Sequence, residues 1–372
     1  MKILYDYQAL TMQKYGGVSR YFYEIISRLD KRQDCYVKLV APFSVNYYFE
    51  DYFHKKSLNK FSSFEKQRWA ERVNRVFTKA ELKKKYDIIH PTYFDPYIIG
   101  RNSGKYVITI YDMIYEVYPE IFNKDIIGVM IDTKKQHIYN SDCIIAISEQ
   151  TKKDILKFYP DVPEQKIKVI YLGHSLDTTK KDKDLDIDLP ERYVLFIGQR
   201  GGYKNFNAFI KAMARIMKND KTLHIVAGGG GKFSEEEKSM INELGLTDRV
   251  HQFFYNDDDL AAIYHKAICF VYPSMYEGFG IPILEAWASE CPIAISDASC
   301  FPEIAGDGAI YFDPLSIDSI SEKIQLLINE SKLRTELVQK GKKNIQKYSW
   351  DITAEQTLRL YKQLLINDNG DE

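Results

Sequence analysis

Two glutamates bracket a short glycine-containing segment late in the chain, and their spacing suggests recognition of a polyhydroxylated ligand. Glu277 and Glu285 flank seven residues, among them Gly278, Phe279 and Gly280. A carboxylate can accept two hydrogen bonds from vicinal hydroxyls, as on a ribose or another sugar, and glycine amides can donate to phosphate or hydroxyl oxygens. The simpler interpretation, in which Glu285 only complements a helix dipole, explains neither Glu277 nor the glycines.

A second glycine-rich turn carries two cations. It follows an apolar run that ends at Ile197, and it contains Gly198, Arg200 and Lys204. An Arg side chain grips phosphate oxygens through two N–H groups, whereas a Lys side chain acts as a point charge. The turn therefore predicts a diphosphate site, although two solvated surface cations would give the same pattern.

A third glycine pair lies near the start of the chain. Gly16 and Gly17 open an amphipathic segment in which Ser19 could cap a helix. Glycines allow backbone amides to approach a ligand closely, and the positive end of a helix dipole favours a phosphate. A tight turn explains the pair equally well, because the full dinucleotide-binding glycine fingerprint is absent.

The elements that must position these loops follow a strand–helix alternation. Short apolar runs alternate with longer amphipathic segments, as in βαβ units with helices on both faces of a parallel sheet. The predicted strands are 2–6, 35–40, 87–90, 106–110, 143–147 and 167–171 in the first half and 193–197, 222–226, 250–254, 268–272 and 292–296 in the second. The predicted fold is α/β, with two tandem Rossmann-like doubly wound domains facing across a cleft. In such domains ligands bind outside the carboxyl ends of the strands.

Composition divides the chain at a charged segment. The expected domains are residues 1–175 and 191–348, joined by a linker at 176–190 and followed by a final helix at 349–372. Residues 1–172 hold 28 Lys and Arg against 21 Asp and Glu, whereas the whole chain has a net charge of -1. This balance argues against a nucleic-acid-binding protein.

Taken together, several segments resemble the family 4 retaining glycosyltransferases, which have the GT-B fold. Residues 273–286 resemble their Glu-x7-Glu signature, and Gly16 and Gly17 resemble their N-terminal glycine loop. Residues 148–154, 198–205 and 301–307 resemble the family's serine-containing helix start, its diphosphate-binding turn and the segment that follows the signature. The similarity extends over nearly the whole chain.

The resemblance implies a nucleoside-diphosphate sugar as the donor substrate, with GDP-mannose or a UDP-hexose expected. It implies transfer with retention to a glycan or lipid-linked acceptor, in cell-surface polysaccharide synthesis. In the family's terms Arg200 and Lys204 stabilise the leaving diphosphate, and Glu285 binds the ribose. Glu277, with the amides from Gly278 to Gly280, orients the sugar. Gly17 approaches the diphosphate from the other domain. The resemblance also implies that residues 1–175 form the acceptor-binding domain and residues 191–348 the nucleotide-sugar-binding domain, and that the final helix at 349–372 packs back on the first domain.

The chain departs from the family pattern at one position. The family often has His-Asp after a central strand of the first domain, and here Tyr111 precedes Asp112. Tyrosine can donate a hydrogen bond to a sugar hydroxyl, but it cannot carry an imidazolium charge near neutral pH. Tyr111 is therefore a candidate substitute for that histidine, beside Asp112.

We expect no metal and no cofactor, because the seven histidines lack metal-ligand spacing. The Asp-x-Asp spacings, at 182–188 and 257–259, are explained by a solvated linker and a helix cap. No apolar run is long enough to cross a bilayer, no signal-peptide core follows the first residues, and the five cysteines lack Cys-x-x-Cys spacing. These features predict a cytoplasmic protein.

A basic, aromatic-rich run suggests contact with a membrane. Residues 51–87 hold 11 Lys and Arg against 5 Asp and Glu, and apolar positions 69, 73, 76, 77 and 80 share one face of a helix. Such a helix could lie on the anionic cytoplasmic face of a membrane. An ordinary domain helix with a solvated charged face explains the run equally well.

Three other functions share some of these features. A sugar-nucleotide epimerase of the same fold would bind the same diphosphate, although the context of Glu277 and Glu285 favours transfer. A non-catalytic nucleotide-sugar-binding protein is compatible with Tyr111 but not with the complete set of charged residues. A nicotinamide oxidoreductase is disfavoured by the missing glycine fingerprint.

Overall fold

The computed structural model describes residues 1–48, 64–101, 104–182, 185, 189–254 and 257–367. The chain divides into two compact units. The first comprises Met1–Leu172 and Trp350–Glu372, and the second comprises Gly173–Ser349. Each unit has its own hydrophobic core and its own sheet. The first part of the basic run, 51–63, lies outside the described residues. So do residues 183, 184 and 186–188 of the predicted linker.

The first unit contains a six-stranded parallel sheet with strand order β2-β1-β3-β4-β5-β6. The strands are β1 (Lys2–Tyr5), β2 (Tyr36–Leu39), β3 (Ile88–His90), β4 (Lys105–Ile110), β5 (Cys143–Ala146) and β6 (Ile167–Val169). The helices are α1 (Gln8–Met12), α2 (Gly17–Leu29), α3 (Phe64–Glu81), α4 (Ile114–Val117), α5 (Lys124–Asn140) and α6 (Glu149–Phe158). Strand β5 is buried throughout, as its apolar sequence requires in a sheet covered on both faces.

The second unit repeats this plan with strand order β12-β11-β10-β7-β8-β9, again parallel. Its strands are β7 (Tyr193–Ile197), β8 (His224–Gly228), β9 (Val250–Phe253), β10 (Cys269–Tyr272), β11 (Ile293–Ser296) and β12 (Ile310–Phe312). Its helices are α7 (Phe206–Asn219), α8 (Glu235–Glu243), α9 (Asp257–Lys266), α10 (Ile281–Ala288), α11 (Phe301–Ala305), α12 (Ile317–Asn329) and α13 (Ser331–Asn344). The predicted class of two tandem doubly wound α/β domains is confirmed.

The last helix, α14 (Trp350–Asn367), belongs to the first unit although it follows the second in sequence. It packs against α2, and the hydroxyl of Thr353 donates to the carbonyl of Tyr171 at 2.8 Å. Asp351 accepts a hydrogen bond from the Arg28 guanidinium at 2.6 Å. The described part of the segment predicted as a linker lies in the second unit, where Lys181 forms an ion pair with Glu290.

Two local expectations differ from the structure. Gly16, not Ser19, precedes the first turn of α2, and the Ser19 hydroxyl instead donates to the Gly16 carbonyl at 3.0 Å. Strand β12 was not predicted, because it is a three-residue edge strand with only one fully buried side chain. Among the described residues, the helices include none with the length and apolar character needed to span a bilayer.

Candidate functional site

The site in the second unit lies at the point where the strand order reverses. Strand β7 has β8 on one side and β10 on the other, so the chain winds outward in both directions from it. The loops that follow β7 and β10 therefore leave the same edge of the sheet side by side, which is where doubly wound sheets bind ligands. The backbone amide of Met275 donates to the carbonyl of Tyr203 at 2.7 Å and joins the two loops.

Lys204 and Glu277 meet between these two loops. The Lys204 Nζ lies 2.6 Å from Glu277 Oε1, and the two side chains are 17% and 13% exposed. Lys204 ends a short turn that begins at Gly202, and Asn205 leaves that turn in a left-handed conformation to start α7. The Asn205 amide group donates to the Pro314 carbonyl at 2.7 Å, which fixes the turn. The structure thus joins one predicted cation directly to one predicted carboxylate.

The backbone around Glu277 is held from the loop that follows β11. The Ser299 hydroxyl donates to the Glu277 carbonyl at 2.6 Å, and the Glu277 amide lies 3.3 Å from the same hydroxyl. Gly280 has a φ of 93°, and a Cβ there would lie 3.1 Å from the Phe301 ring. Glycine is needed at that position because other residues rarely adopt this conformation. The loop is thereby set at the N-terminus of α10, where backbone amides favour anions.

Phe279 and Glu285 occupy different environments. The Phe279 side chain is buried, with its ring 5.7 Å from that of Tyr348, so only its backbone is available to a ligand. Glu285 is half-buried in the second turn of α10. The Tyr264 hydroxyl donates to Glu285 Oε2 at 3.3 Å, which orients the carboxylate.

Arg200 does not share a partner with Lys204. Its Nε donates to Glu237 Oε1 at 2.8 Å, and its two terminal nitrogens donate to the carbonyls of residues 229–232 at 2.5 to 3.2 Å. The guanidinium also lies over the Phe233 ring, 4.7 Å from its centre. A Cβ at Gly230 would come within 2.8 Å of Arg200 Nη1. Arg200 therefore holds the loop that follows β8, and its predicted role on a diphosphate is not reflected in these contacts.

Gly198 also has a structural partner. Its amide donates to the Gly228 carbonyl at 2.9 Å and continues the ladder between β7 and β8, with a φ of 132°. That donor is therefore used by the sheet, and the role of Gly198 in a diphosphate-binding turn stays a prediction. In the first unit, Gly17 is exposed at the start of α2, and a Cβ there would meet no atom within 4 Å.

Tyr111 and Asp112 follow β4 in the first unit. Among the described residues, the buried Tyr111 hydroxyl has no hydrogen-bond partner. Burial raises the pKa of Tyr111 well above its ordinary value, so the hydroxyl keeps its proton. The Asp112 carbonyl accepts a hydrogen bond from Lys134 Nζ at 3.2 Å, and Asp112 Oδ1 accepts from the amide of Ile114 at 3.1 Å. Lys134 in turn pairs with buried Glu116 at 2.8 Å, which supports the loop from behind.

Sequence inspection missed a pocket at the point where the strand order reverses in the first unit, between β1 and β3. The pocket has a volume of about 280 Å³, and Tyr7, Phe94 and the Arg75–Asp95 ion pair are among the groups that line it. Beside it, Asp6 is fully buried and accepts hydrogen bonds from the Thr92 backbone, Thr92 hydroxyl, Gln8 side chain and Tyr97 hydroxyl. Burial raises the pKa of Asp6. The sequence feature that could have indicated this pocket is Asp6, an acidic residue directly after an apolar strand.

Among the described residues, no group of three or more His, Cys, Asp or Glu side chains is arranged to hold a metal ion. The run at 257–259 lies at the N-terminus of α9, although the side chains of Asp257 and Asp258 are outside the described set. The expectation of a metal-independent reaction therefore stays a prediction.

Two doubly wound sheets of parallel strands, each followed by charged loops at the point where its strand order reverses, define a protein of the tandem Rossmann-like α/β class. A model of "Glycosyltransferase Family 4" matches residues 15–178, and a model of "Glycosyl transferases group 1" matches residues 177–344. The chain therefore belongs to the family 4 glycosyltransferases and has their GT-B fold.

Proteins of similar sequence include O-antigen chain mannosyltransferase B of Escherichia coli. It is 25% identical over 291 residues, which cover 76% of this chain and 75% of that protein. The O-antigen chain mannosyltransferase RfbU of Salmonella typhimurium is 32% identical over 212 residues, and the match covers 56% of each protein.

Solved structures share the fold at low sequence identity. Sucrose-phosphate synthase of Thermosynechococcus elongatus has a TM-score of 0.74 at 19% identity, with 98% of this chain and 99% of that chain covered. HepE of Anabaena, solved in complex with UDP and glucose, has a TM-score of 0.73 at 16% identity, with 97% and 99% covered.

Proposed function

We propose that this glycosyltransferase moves a hexose from a nucleoside-diphosphate sugar to a glycan or lipid-linked saccharide, with retention of anomeric configuration, in cell-surface polysaccharide synthesis. The observation that carries the proposal is the Lys204–Glu277 pair between the loops after β7 and β10. GDP-mannose is the first donor to test, because the named relatives include O-antigen mannosyltransferases. A UDP-hexose is the second, because HepE was solved with UDP and glucose.

The pair suggests how the donor is received. Lys204 and Glu277 neutralise each other in the absence of ligand, since their charged atoms lie 2.6 Å apart. A diphosphate competes for the ammonium group because it carries more negative charge than one carboxylate. Glu277 then becomes available to accept hydrogen bonds from sugar hydroxyls. We assign the ribose hydroxyls to Glu285, whose carboxylate accepts a hydrogen bond from Tyr264.

In the proposed chemical step, negative charge develops close to the hydrogen-bond donors of the site. Cleavage of the bond between the anomeric carbon and the diphosphate oxygen leaves negative charge on that oxygen. Lys204 and the amides from Gly278 to Gly280 stabilise this charge more in the transition state than in the ground state. The departing phosphate oxygen takes the proton of the attacking acceptor hydroxyl, so the mechanism requires neither a metal ion nor a cofactor.

The acceptor is assigned to the first unit. The pocket between β1 and β3 combines aromatic rings with the Arg75–Asp95 pair, a lining suited to a saccharide. The buried Tyr111 hydroxyl, which has no partner among the described residues, is a hydrogen-bond donor for a sugar hydroxyl. Gly16 and Gly17, at the start of α2, stay predicted phosphate-binding residues. We further place the protein in the cytoplasm, in peripheral contact with an anionic membrane.

The proposal is tested with the purified chain and a set of GDP- and UDP-sugars. We expect one donor to raise the melting temperature, since a ligand at about 100 times its dissociation constant adds roughly 2.7 kcal/mol to stability. The same donor should be consumed when acceptor glycan is added. NMR of the product should show that the anomeric configuration of the transferred sugar is retained. A changed sugar after incubation with donor alone would instead indicate an epimerase, and binding without turnover would indicate a sensor.

Lys204→Ala is the sharpest variant. Loss of a cation that contacts the leaving group should lower kcat/KM by at least about tenfold. Lys211→Ala is the matched control, because Lys211 is exposed on α7. Turnover of Lys204→Ala equal to that of the control would refute the role of Lys204. Excess EDTA should leave the rate of the unmodified chain unchanged.

A further inference from the structure

Helix α3 is turned opposite to the usual orientation of a surface helix. Its buried positions are Ala70, Asn74 and Thr78, all fully inaccessible to solvent. Three of its large apolar side chains are more than half exposed, Trp69 at 51%, Val76 at 67% and Phe77 at 54%, and Val73 between them is half-buried. A surface helix ordinarily buries its apolar stripe and exposes its small and polar residues. The apolar stripe at positions 69, 73, 76, 77 and 80, hereafter the outer stripe, is thus not part of the core of the first unit.

The orientation is fixed by satisfied polar contacts rather than by chance packing. The Asn74 side chain accepts from the Phe43 amide at 3.1 Å and donates to the Phe43 carbonyl at 2.7 Å. The Thr78 hydroxyl donates to the Asn74 carbonyl at 2.9 Å. The Thr78 bond lies within the helix and satisfies that hydroxyl without fixing the orientation. Rotation of the helix to bury the outer stripe would break the two hydrogen bonds between Asn74 and the Phe43 backbone, and each unsatisfied group would be costly. The stripe is therefore held outward by the fold.

Charge on the helix is segregated around the outer stripe. Arg68, Arg72 and Lys79 are exposed and occupy the flank beside Val76. In the part of α3 whose side chains are described, residues 67–81, the two carboxylates Glu71 and Glu81 are not on that flank. Glu71 lines the pocket of the first unit, and Glu81 accepts a hydrogen bond from the buried Tyr86 hydroxyl. The exposed surface of α3 thus combines apolar and cationic groups.

We propose that the outer stripe and its cationic flank form the surface by which this protein docks on an anionic lipid bilayer. Tryptophan and phenylalanine insert at the level of the lipid headgroups, and Lys and Arg are attracted to anionic headgroups beside them. A second copy of the chain fits less well, because self-association through this face brings identical cationic flanks together. The inference specifies the surface of the membrane contact proposed above, and a lipid-linked acceptor would then be presented at the membrane.

Tryptophan fluorescence provides a direct readout. The chain has three tryptophans, and Trp287 and Trp350 are buried, so Trp69 alone can respond to lipid contact. The full chain is mixed with vesicles of phosphatidylcholine alone or with about 30 mol % phosphatidylglycerol. We expect a blue shift and vesicle flotation with the anionic vesicles only, both weakened by high salt.

Two double variants test the two parts of the surface. Val76→Ser with Phe77→Ser should lower partitioning by at least about tenfold, and Arg72→Glu with Lys79→Glu should abolish it. The matched controls, Leu315→Ser and Lys211→Glu with Lys218→Glu, change exposed apolar and cationic groups of the second unit and should bind as the unmodified chain does. Equal binding by test and control variants would overturn the proposal.

Two further measurements separate the remaining outcomes. Sedimentation velocity without lipid would reveal a dimer that depends on Phe77, and such a dimer would assign the surface to self-association and overturn the proposal. Turnover of donor with a water-soluble acceptor should be unchanged in the α3 variants. The substituted residues do not line the pocket assigned to the acceptor, and Lys204 and Glu277 lie in the second unit. Normal turnover with lost flotation therefore supports the docking surface, whereas absent turnover with normal flotation refutes the proposed function alone.

Discussion

At the scale of single residues, the two cations of one glycine-rich turn have separate tasks. Lys204 is directed to Glu277, whereas Arg200 is directed to Glu237 and to the carbonyls of residues 229–232. Gly229, Gly230 and Gly231 all have positive φ, so this loop adopts a left-handed path that gathers its carbonyls around the guanidinium. We therefore expect Arg200 to position the loop and Lys204 to act on the donor.

Arg200→Lys separates these tasks. Lysine cannot reproduce the planar set of donors, so buried carbonyls lose their partners and the free energy of unfolding should fall by about 2 kcal/mol or more. Chemical denaturation measures this change, with Glu237→Gln as a milder control. If Arg200→Lys unfolds like the unmodified chain while its kcat falls as in Lys204→Ala, then Arg200 acts on the diphosphate after all.

The sequence alone could indicate the residue types of this site but not their pairing. Gly198, Arg200 and Lys204 stand together in sequence, and nothing in their spacing reveals that a loop 30 residues later uses the arginine. Conversely, Ser299 holds Glu277 from the loop after β11, and a lone serine gives no sequence signal. Tertiary contacts between loops that follow different strands decide these roles.

At the scale of elements, α14 is joined to the sheet of the first unit by a buried polar network. The Tyr361 hydroxyl lies 2.6 Å from His90 Nδ1 and 2.9 Å from the Tyr5 hydroxyl, and His90 Nε2 lies 3.0 Å from the Thr109 hydroxyl. Each group has a partner, which is the condition under which a buried network stabilises a fold. The network also explains why His90, at the end of β3, is structural.

This network predicts a pH dependence of stability. Burial lowers the pKa of His90 to about 3, whereas an unfolded histidine has a pKa near 6.5. The folded state therefore keeps His90 neutral while the unfolded state gains a proton, so the stabilisation is present above about pH 6.5 and declines as pH falls toward 3. His137, with its pKa lowered by burial to about 4, adds a second contribution of the same sign.

Urea denaturation between about pH 7 and pH 4 measures the effect, at up to about 1.4 kcal/mol per pH unit for each histidine. Tyr361→Phe should cost about 1 to 3 kcal/mol at neutral pH, because it removes a partner from two buried groups. His90→Gln should reduce the slope. An unchanged slope in that variant would mean that His90 titrates alike in both states.

At the scale of the whole molecule, the alternation of apolar and amphipathic segments was sufficient to predict the class of fold. Each strand that was predicted overlaps an observed one, because parallel strands covered on both faces are short continuous apolar runs. The orientation of α3 could not be predicted from the sequence. The helical periodicity of its apolar residues reveals a stripe but not which side of the helix faces the core. The contacts between Asn74 and the Phe43 backbone show which side faces the core.

One unit is a single segment of the chain and the other is built from two segments, so we expect them to differ in whether they fold by themselves. The second unit is one continuous segment, Gly173–Ser349, with its own core, whereas the first requires α14 from the far end of the chain. Tyr361 and Leu358 of α14 are buried in the first unit.

We expect a fragment of residues 173–349 to unfold cooperatively and to be stabilised by the nucleoside diphosphate of the donor, unless Lys204 is replaced by alanine. A fragment of residues 1–172 should lack a cooperative transition, because removal of α14 exposes apolar surface on α2 and unpairs His90 and Tyr5. Calorimetry and circular dichroism of both fragments measure these outcomes, and addition of residues 350–367 through a short linker should restore folding of the first. A cooperative transition in residues 1–172 alone would show that α14 is an accessory element and not part of the first unit's core.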